Sequence, residues 1–96
     1  MTIIHIEHPV RDFETWKTAF DSDPVGREAS GVRRYRVYRA TETPDDIAID
    51  LEFDDRATAE AFHARLRTMW TTPQATSALG GAPQSRLVDV VEDRAY

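Results

Sequence analysis

Asp46-Ile47-Ala48-Ile49-Asp50-Leu51-Glu52-Phe53 decides the fold. Ile47, Ile49, Leu51 and Phe53 fall on one side of an extended chain, with Ala48, Asp50 and Glu52 on the other. Successive side chains of a strand point to opposite faces, so this strict alternation predicts a sheet with one apolar and one charged face. The apolar face has to be covered, and the segments on either side supply the cover.

Upstream, residues 32–40 are rich in valine and tyrosine and predict a strand, joined to 46–53 by the Pro44-containing turn Thr41–Asp45. Keeping Tyr35 and Val37 on the apolar side sets the register: Val37 opposite Ile49, Tyr35 opposite Leu51, Arg36 opposite Asp50, Arg34 opposite Glu52. Residues 2–8 predict the first strand, with Ile4 and Ile6 on one face, Ile3, His5 and Glu7 on the other, and Pro9 closing it. His8, next to that proline, reads as an exposed strand end. Val10, Phe13, Trp16 and Phe20 recur at helical spacing and predict an amphipathic helix over 12–21 with Asp12 as N-cap. The loop to Gly31 is long for a small domain, the kind of segment that often carries function.

Downstream, Asp54 or Asp55 caps a second helix whose buried stripe is Ala59, Phe62, Leu66 and Met69, with Trp70 beside it. Thr72-Pro73 starts a short helix ending at Gly80-Gly81, and residues 85–92 form a fourth strand. The order is β-α-β-β-α-β: an α+β, ferredoxin-like domain spanning residues 1–96. Its four-stranded antiparallel sheet should run in the order 4-1-3-2 with both helices on one face. The other face is left open, and Ile3 on a central strand and Leu87 and Val91 on an edge should add apolar surface to it.

A chain of 96 residues buries roughly 65 % of its unfolded surface, so its core is modest and an additional interface would help it. With no cysteine there is neither a disulfide nor a thiolate metal site. A formal net charge of −5 argues against a nucleic-acid or anionic-membrane partner. Arg33-Arg34-Tyr35-Arg36 is no exception, because alternation splits its arginines between faces. No signal-peptide pattern is visible, and no stretch approaches the ~20 apolar residues of a membrane span. A cytoplasmic protein is the expectation.

The open face carries the candidate chemistry. His5 can reach Asp50 or Glu52 across adjacent strands, and Arg36 lies opposite Asp50. A histidine oriented by a carboxylate is a general base near neutral pH, and an arginine can hold an enolate or carboxylate oxygen. His5, Asp50 and Arg36 are therefore the catalytic candidates, suited to taking a proton from an activated C–H. Arg34, Tyr38, Glu52 and Trp70 are the substrate-binding candidates, with Tyr38, Trp70 and the 21–31 loop at a pocket mouth. Three other readings stay open: a solvated face of ion pairs, a face closed by a second copy, and a non-catalytic ligand-sensing or dimerisation module. His5 and His8 point to opposite faces, so no metal site is expected, and no cofactor is assigned. An RNA-recognition role is disfavoured because the central strands present His5, Asp50 and Glu52 where aromatic stacking residues would be needed.

In element order and length, and in the stretches Phe13–Trp16, Gly26-Arg27-Glu28 through Tyr35, and Leu51-Glu52-Phe53, the chain resembles the dimeric α/β-barrel superfamily. That superfamily includes antibiotic-biosynthesis-type monooxygenases and small haem-degrading proteins, and the chain looks most like small bacterial members. The resemblance implies a homodimer that closes a barrel over the open sheet faces. It also implies an aromatic or polyketide-like small molecule bound between sheet and helices, acted on without a cofactor if the protein is an enzyme. The haem-degrading branch carries Asn, Trp and His where this chain has His5, Phe53 and His63. Only the histidine matches, and neighbouring Glu60, Arg65 and Arg67 place it beside a solvated helix face, so haem degradation is not implied.

Overall fold

The computed structural model describes all residues, Met1–Tyr96. The elements are β1 (Thr2–Pro9), α1 (Phe13–Asp21), β2 (Arg34–Arg39), β3 (Asp46–Phe53), α2 (Arg56–Met69), α3 (Pro73–Ala78) and β4 (Gln84–Asp89). The antiparallel sheet runs β2-β3-β1-β4, the predicted order read from its other edge. Each helix starts where a side-chain oxygen takes over an orphan backbone N–H: Asp12 accepts from Thr15, Asp55 from Thr58, and Thr72 from Ala75. Pro73 sits in the first turn of α3, where its missing N–H has no partner to lose.

The predicted β2–β3 register is the one observed, with Val37 paired to Ile49 and Arg36 to Asp50. Consequently Ile47, Ile49, Leu51 and Phe53 are all buried, together with Ile4 and Ile6 of β1. They meet Trp16 of α1, Ala59, Phe62 and Leu66 of α2, and Ala78 of α3 in one core. Phe53 and Phe62 lie at the centre of it, ring centroids 5.5 Å apart. The molecule measures 34 × 31 × 19 Å, and the short dimension is that of one sheet with one layer of helices. No helix is long and apolar enough to cross a membrane.

Three details differ from the sequence reading. β4 ends at Asp89, and it pairs Leu87 with Ile4 and Val88 with Ile3. Paired residues share a face, so Leu87 packs under the helices and Val88 is the apolar residue that β4 adds to the open face. His8 is not an exposed strand end: it follows the parity of Ile4 and Ile6, faces the helices, and is 5 % exposed. His63 borders the solvated face of α2 but also has a partner the sequence did not show: its Nε2 lies 2.7 Å from the Ser85 hydroxyl, tying α2 to the edge strand.

The long loop folds back through a series of turns, one closed by a helical bond from the Ser30 N–H to the Gly26 carbonyl, and ends at Gly31, whose φ is +101°. A Cβ there would sit 2.5 Å from the Thr58 methyl, so glycine is required both by backbone and by space. This closure brings the start of β2 against α2 and seats the loop over the helix side of the sheet.

Candidate functional site

The candidate residues divide between the two faces of the sheet. On the open face, cross-strand pairing of His5 with Asp50 puts His5 Nδ1 2.6 Å from Asp50 Oδ1. His5 Nε2 lies 3.0 Å from Glu7 Oε2, two residues along the same face of β1. The second Asp50 oxygen accepts from the Tyr38 hydroxyl at 2.8 Å, and Arg34 donates to Glu52 at 3.0 Å. Arg36 is opposite Asp50 in register, but Tyr38 takes the carboxylate oxygen. His5, Asp50, Arg36, Arg34, Glu52 and Tyr38 thus share one face, while Trp70 lies on the other side of the sheet. Tyr38 and Trp70 do not line a common pocket mouth.

Electrostatics follow from these bonds. Two carboxylates accept from the two ring nitrogens of His5, which requires both to carry protons. The bond to Asp50 is the main cause of a pKa raised above 6.5; burial opposes it and Glu7 adds to it. The same Asp50 bond raises the Tyr38 hydroxyl above its ordinary value, with burial adding to it. Because the folded His5 pKa lies above 6.5, this clamp contributes its full stability below pH 6.5 and loses it as pH rises through the folded value. Urea midpoints of the wild type should therefore fall with rising pH above 6.5 relative to those of His5→Gln. Parallel curves would show that the clamp contributes nothing.

The helix side holds a cavity of about 440 Å³. Its floor is Ile6, His8, Ile49 and Leu51 of the central strands; its walls come from all three helices. Aliphatic side chains make up most of the apolar lining, and four aromatic rings join them: Trp16, Phe20, Phe62 and Trp70. Trp16 and Phe20 stack at 5.1 Å, and His8 meets Trp16 edge-on at 5.7 Å. At the rim the Arg27 guanidinium lies 3.9 Å over the Phe20 ring and donates to the Phe20 carbonyl at 2.8 Å. Asp23, in a left-handed conformation with φ 52°, accepts from the Arg27 backbone N–H at 2.9 Å. A concave, mostly apolar space with a few placed polar groups has the usual build of a small-molecule site.

Of the residues singled out in the sequence, only Trp70 and the 21–31 loop belong to this cavity. His8 and Arg27 were missed as site residues. Parity with Ile4 and Ile6 was a usable signal for His8; nothing in the spacing of Arg27 marks it. No group of three or more His, Asp or Glu side chains is arranged to hold a metal ion.

No family model matches the sequence, and no curated protein matches it either. The structure does match known ones. A variant of SnoaB, a cofactor-independent oxygenase from Streptomyces nogalater, superposes with a TM-score of 0.77 at 8 % identity, over 96 % of this chain and 94 % of that one. An antibiotic biosynthesis monooxygenase gives 0.63 at 12 %, over 96 % and 100 %. A dimeric ferredoxin-like protein from an uncultured marine organism gives 0.66 at 16 %, over 97 % of each. The chain therefore has the ferredoxin-like α+β fold of the antibiotic biosynthesis monooxygenase group.

Proposed function

We propose that the protein is a homodimeric small-molecule-binding protein that takes an aromatic, polyketide-like compound into the helix-side cavity. The observation that carries this is the cavity itself: about 440 Å³, between sheet and helices, with an apolar lining that includes the rings of Trp16, Phe20, Phe62 and Trp70. Flat apolar rings are the ligand chemistry such walls favour, through area buried and through offset or edge-on aromatic contacts. Homodimerisation through the open face is supported by the helices covering only one side of the sheet. Ile3 and the exposed Val88 interrupt the charges there, and similar structures are described as dimeric. That face carries Arg34, Arg36, Arg86 and the doubly protonated His5 against Glu7, Asp46, Asp50 and Glu52, a balance that lets it pair with a copy of itself.

Oxidation of the bound compound without a cofactor is the enzymatic form of this reading, and it draws support from the fold shared with a cofactor-independent oxygenase. Non-catalytic ligand sensing is the alternative. Titrating hydroxylated polycyclic aromatics while following tryptophan emission, and then oxygen consumption, separates them. Saturable quenching is expected, since Trp16 and Trp70 both line the cavity. Quenching with oxygen uptake supports the enzyme; quenching alone supports the sensor; neither, across the series, removes the cavity reading.

A second reading places acid–base chemistry on the open face, with His5 as base, Asp50 orienting it and Arg36 holding an oxygen. The 2.6 Å His5–Asp50 bond favours it, and Glu7, 63 % exposed, can be displaced by a ligand to free His5 Nε2. Arg34, Glu52 and Tyr38 then become ligand contacts. Loss of turnover in His5→Gln with unchanged affinity supports this reading; unchanged turnover rejects it.

A further inference from the structure

We propose that His8 is the specificity-determining residue of the cavity: its Nε2 accepts a hydrogen bond from a hydroxyl of the bound aromatic molecule, so the site selects phenols and enols over their ethers. The inference rests on the cavity being a ligand site and adds to it the group that reads the ligand.

Strand parity turns His8 into the cavity floor, and the bonds around it decide which nitrogen is free. His8 Nδ1 lies 2.9 Å from the carbonyl oxygen of Pro9. A carbonyl only accepts, so Nδ1 carries the proton, and in the neutral ring Nε2 keeps its lone pair. That carbonyl is itself held, because it also accepts from the Gly80 N–H at 3.0 Å, beside the bridge between Val10 and Leu79. A Cβ at Gly80 would come within 3.1 Å of the Val10 carbonyl carbon and 3.3 Å of Pro9, so the glycine permits the close approach. The edge-on packing against Trp16 fixes the ring plane.

Nε2 has no partner in the protein. No side-chain nitrogen or oxygen sealed from solvent lacks one, so Nε2 keeps access, and the cavity is the space His8 borders. Most other polar groups at the wall are engaged, while the Gln74 amide, exposed in the first turn of α3, makes no bond within the protein. The Thr72 hydroxyl donates to the Met69 carbonyl at 2.7 Å, and Arg27 donates to the Phe20 carbonyl. Burial holds the His8 pKa below 6.5 and outweighs the Pro9 bond that raises it, which keeps the ring neutral at pH 7. Nε2 is thus an accessible acceptor at the cavity floor, and a ligand O–H can donate to it where an ether oxygen, which only accepts, cannot.

Calorimetric titration with 2-naphthol and 2-methoxynaphthalene as probes tests this on the wild type, His8→Leu and His8→Gln. The ether is the more apolar of the two, so shape and burial alone would favour it. Wild type should bind 2-naphthol about tenfold more tightly than the ether, the effect of one hydrogen bond to a buried neutral acceptor. His8→Leu should bind both with no preference for the phenol, and His8→Gln, which keeps a carbonyl acceptor, should retain part of it. Equal affinities in the wild type, or a preference surviving in His8→Leu, overturn the role of His8 and leave the cavity reading standing. Should the leucine variant fail to fold, the wild-type ratio decides together with His8→Gln, where a reduced ratio counts for the proposal and an unchanged one overturns it. Binding of neither probe by the wild type overturns both.

Discussion

Asp50→Lys is expected to turn the proposed dimer into a monomer at micromolar concentration. Asp50 lies on a central strand and accepts from both His5 and Tyr38, so it is the anion around which the open face is organised. The face carries three arginines and four carboxylates, and the substitution leaves three carboxylates against four permanent cations and His5. Two such faces repel, and like charges brought together without water cost several kcal/mol. Asp50→Asn, which removes the charge without reversing it, should weaken association less. Sedimentation velocity reads the result, and circular dichroism confirms that the fold is retained. A dimer that persists in Asp50→Lys would show that the copies associate through another surface, or that this one is closed without help from its charges.

Phe62→Ala is expected to lower stability by about 3–5 kcal/mol, the usual range for deleting a buried phenylalanine ring. Phe62 is 1 % exposed, packs on Phe53, and joins the middle of α2 to the central strands. Its ring also forms part of the cavity wall, so the deletion enlarges the cavity instead of leaving a closed void. A bulky aromatic ligand should recover part of the loss by mass action, in proportion to RT ln(1 + [L]/Kd). Urea denaturation with and without ligand measures both. A loss below about 1 kcal/mol would contradict the packing described here.

The sheet was legible in the sequence because hydrophobic alternation is a strong signal and a one-residue slip reverses every side chain. Ile47, Ile49, Leu51 and Phe53 fixed the face of β3, and Tyr35 and Val37 then fixed the register of β2. β4 was harder. Leu87 and Val88 are adjacent apolar residues, so periodicity cannot say which one points inward, and only pairing with Ile4 and Ile3 decides it. The cap residues were legible from chemistry alone, as Asp12, Asp55 and Thr72 show.

The cavity was not legible, since it arises where three helices and a loop distant in sequence converge. His8 drew attention as a neighbour of Pro9 when its parity with Ile6 was the better guide. Polar residues on apolar faces are easily read as frayed ends, although burial of such a group is the more informative observation. Tyr38 was drawn to Trp70 by aromatic character, while alternation along β2 carries it to the opposite face. The His5–Asp50 contact was partly legible: adjacency of β1 and β3 put His5 within reach of Asp50 or Glu52, and only the observed register selects Asp50.

The central claim is that a small aromatic molecule binds between sheet and helices. The chain has two tryptophans, and both border the cavity, so their indole N–H signals report on that space alone. Ile6 and Ile49 place methyl groups at its floor, while Ile3 and Val88 place theirs on the open face. In a nuclear magnetic resonance titration with 2-naphthol, both indole signals and the Ile6 and Ile49 methyls should shift together and saturate, with Ile3 and Val88 unmoved. Shifts confined to Ile3 and Val88, with the indoles stationary, would contradict the claim.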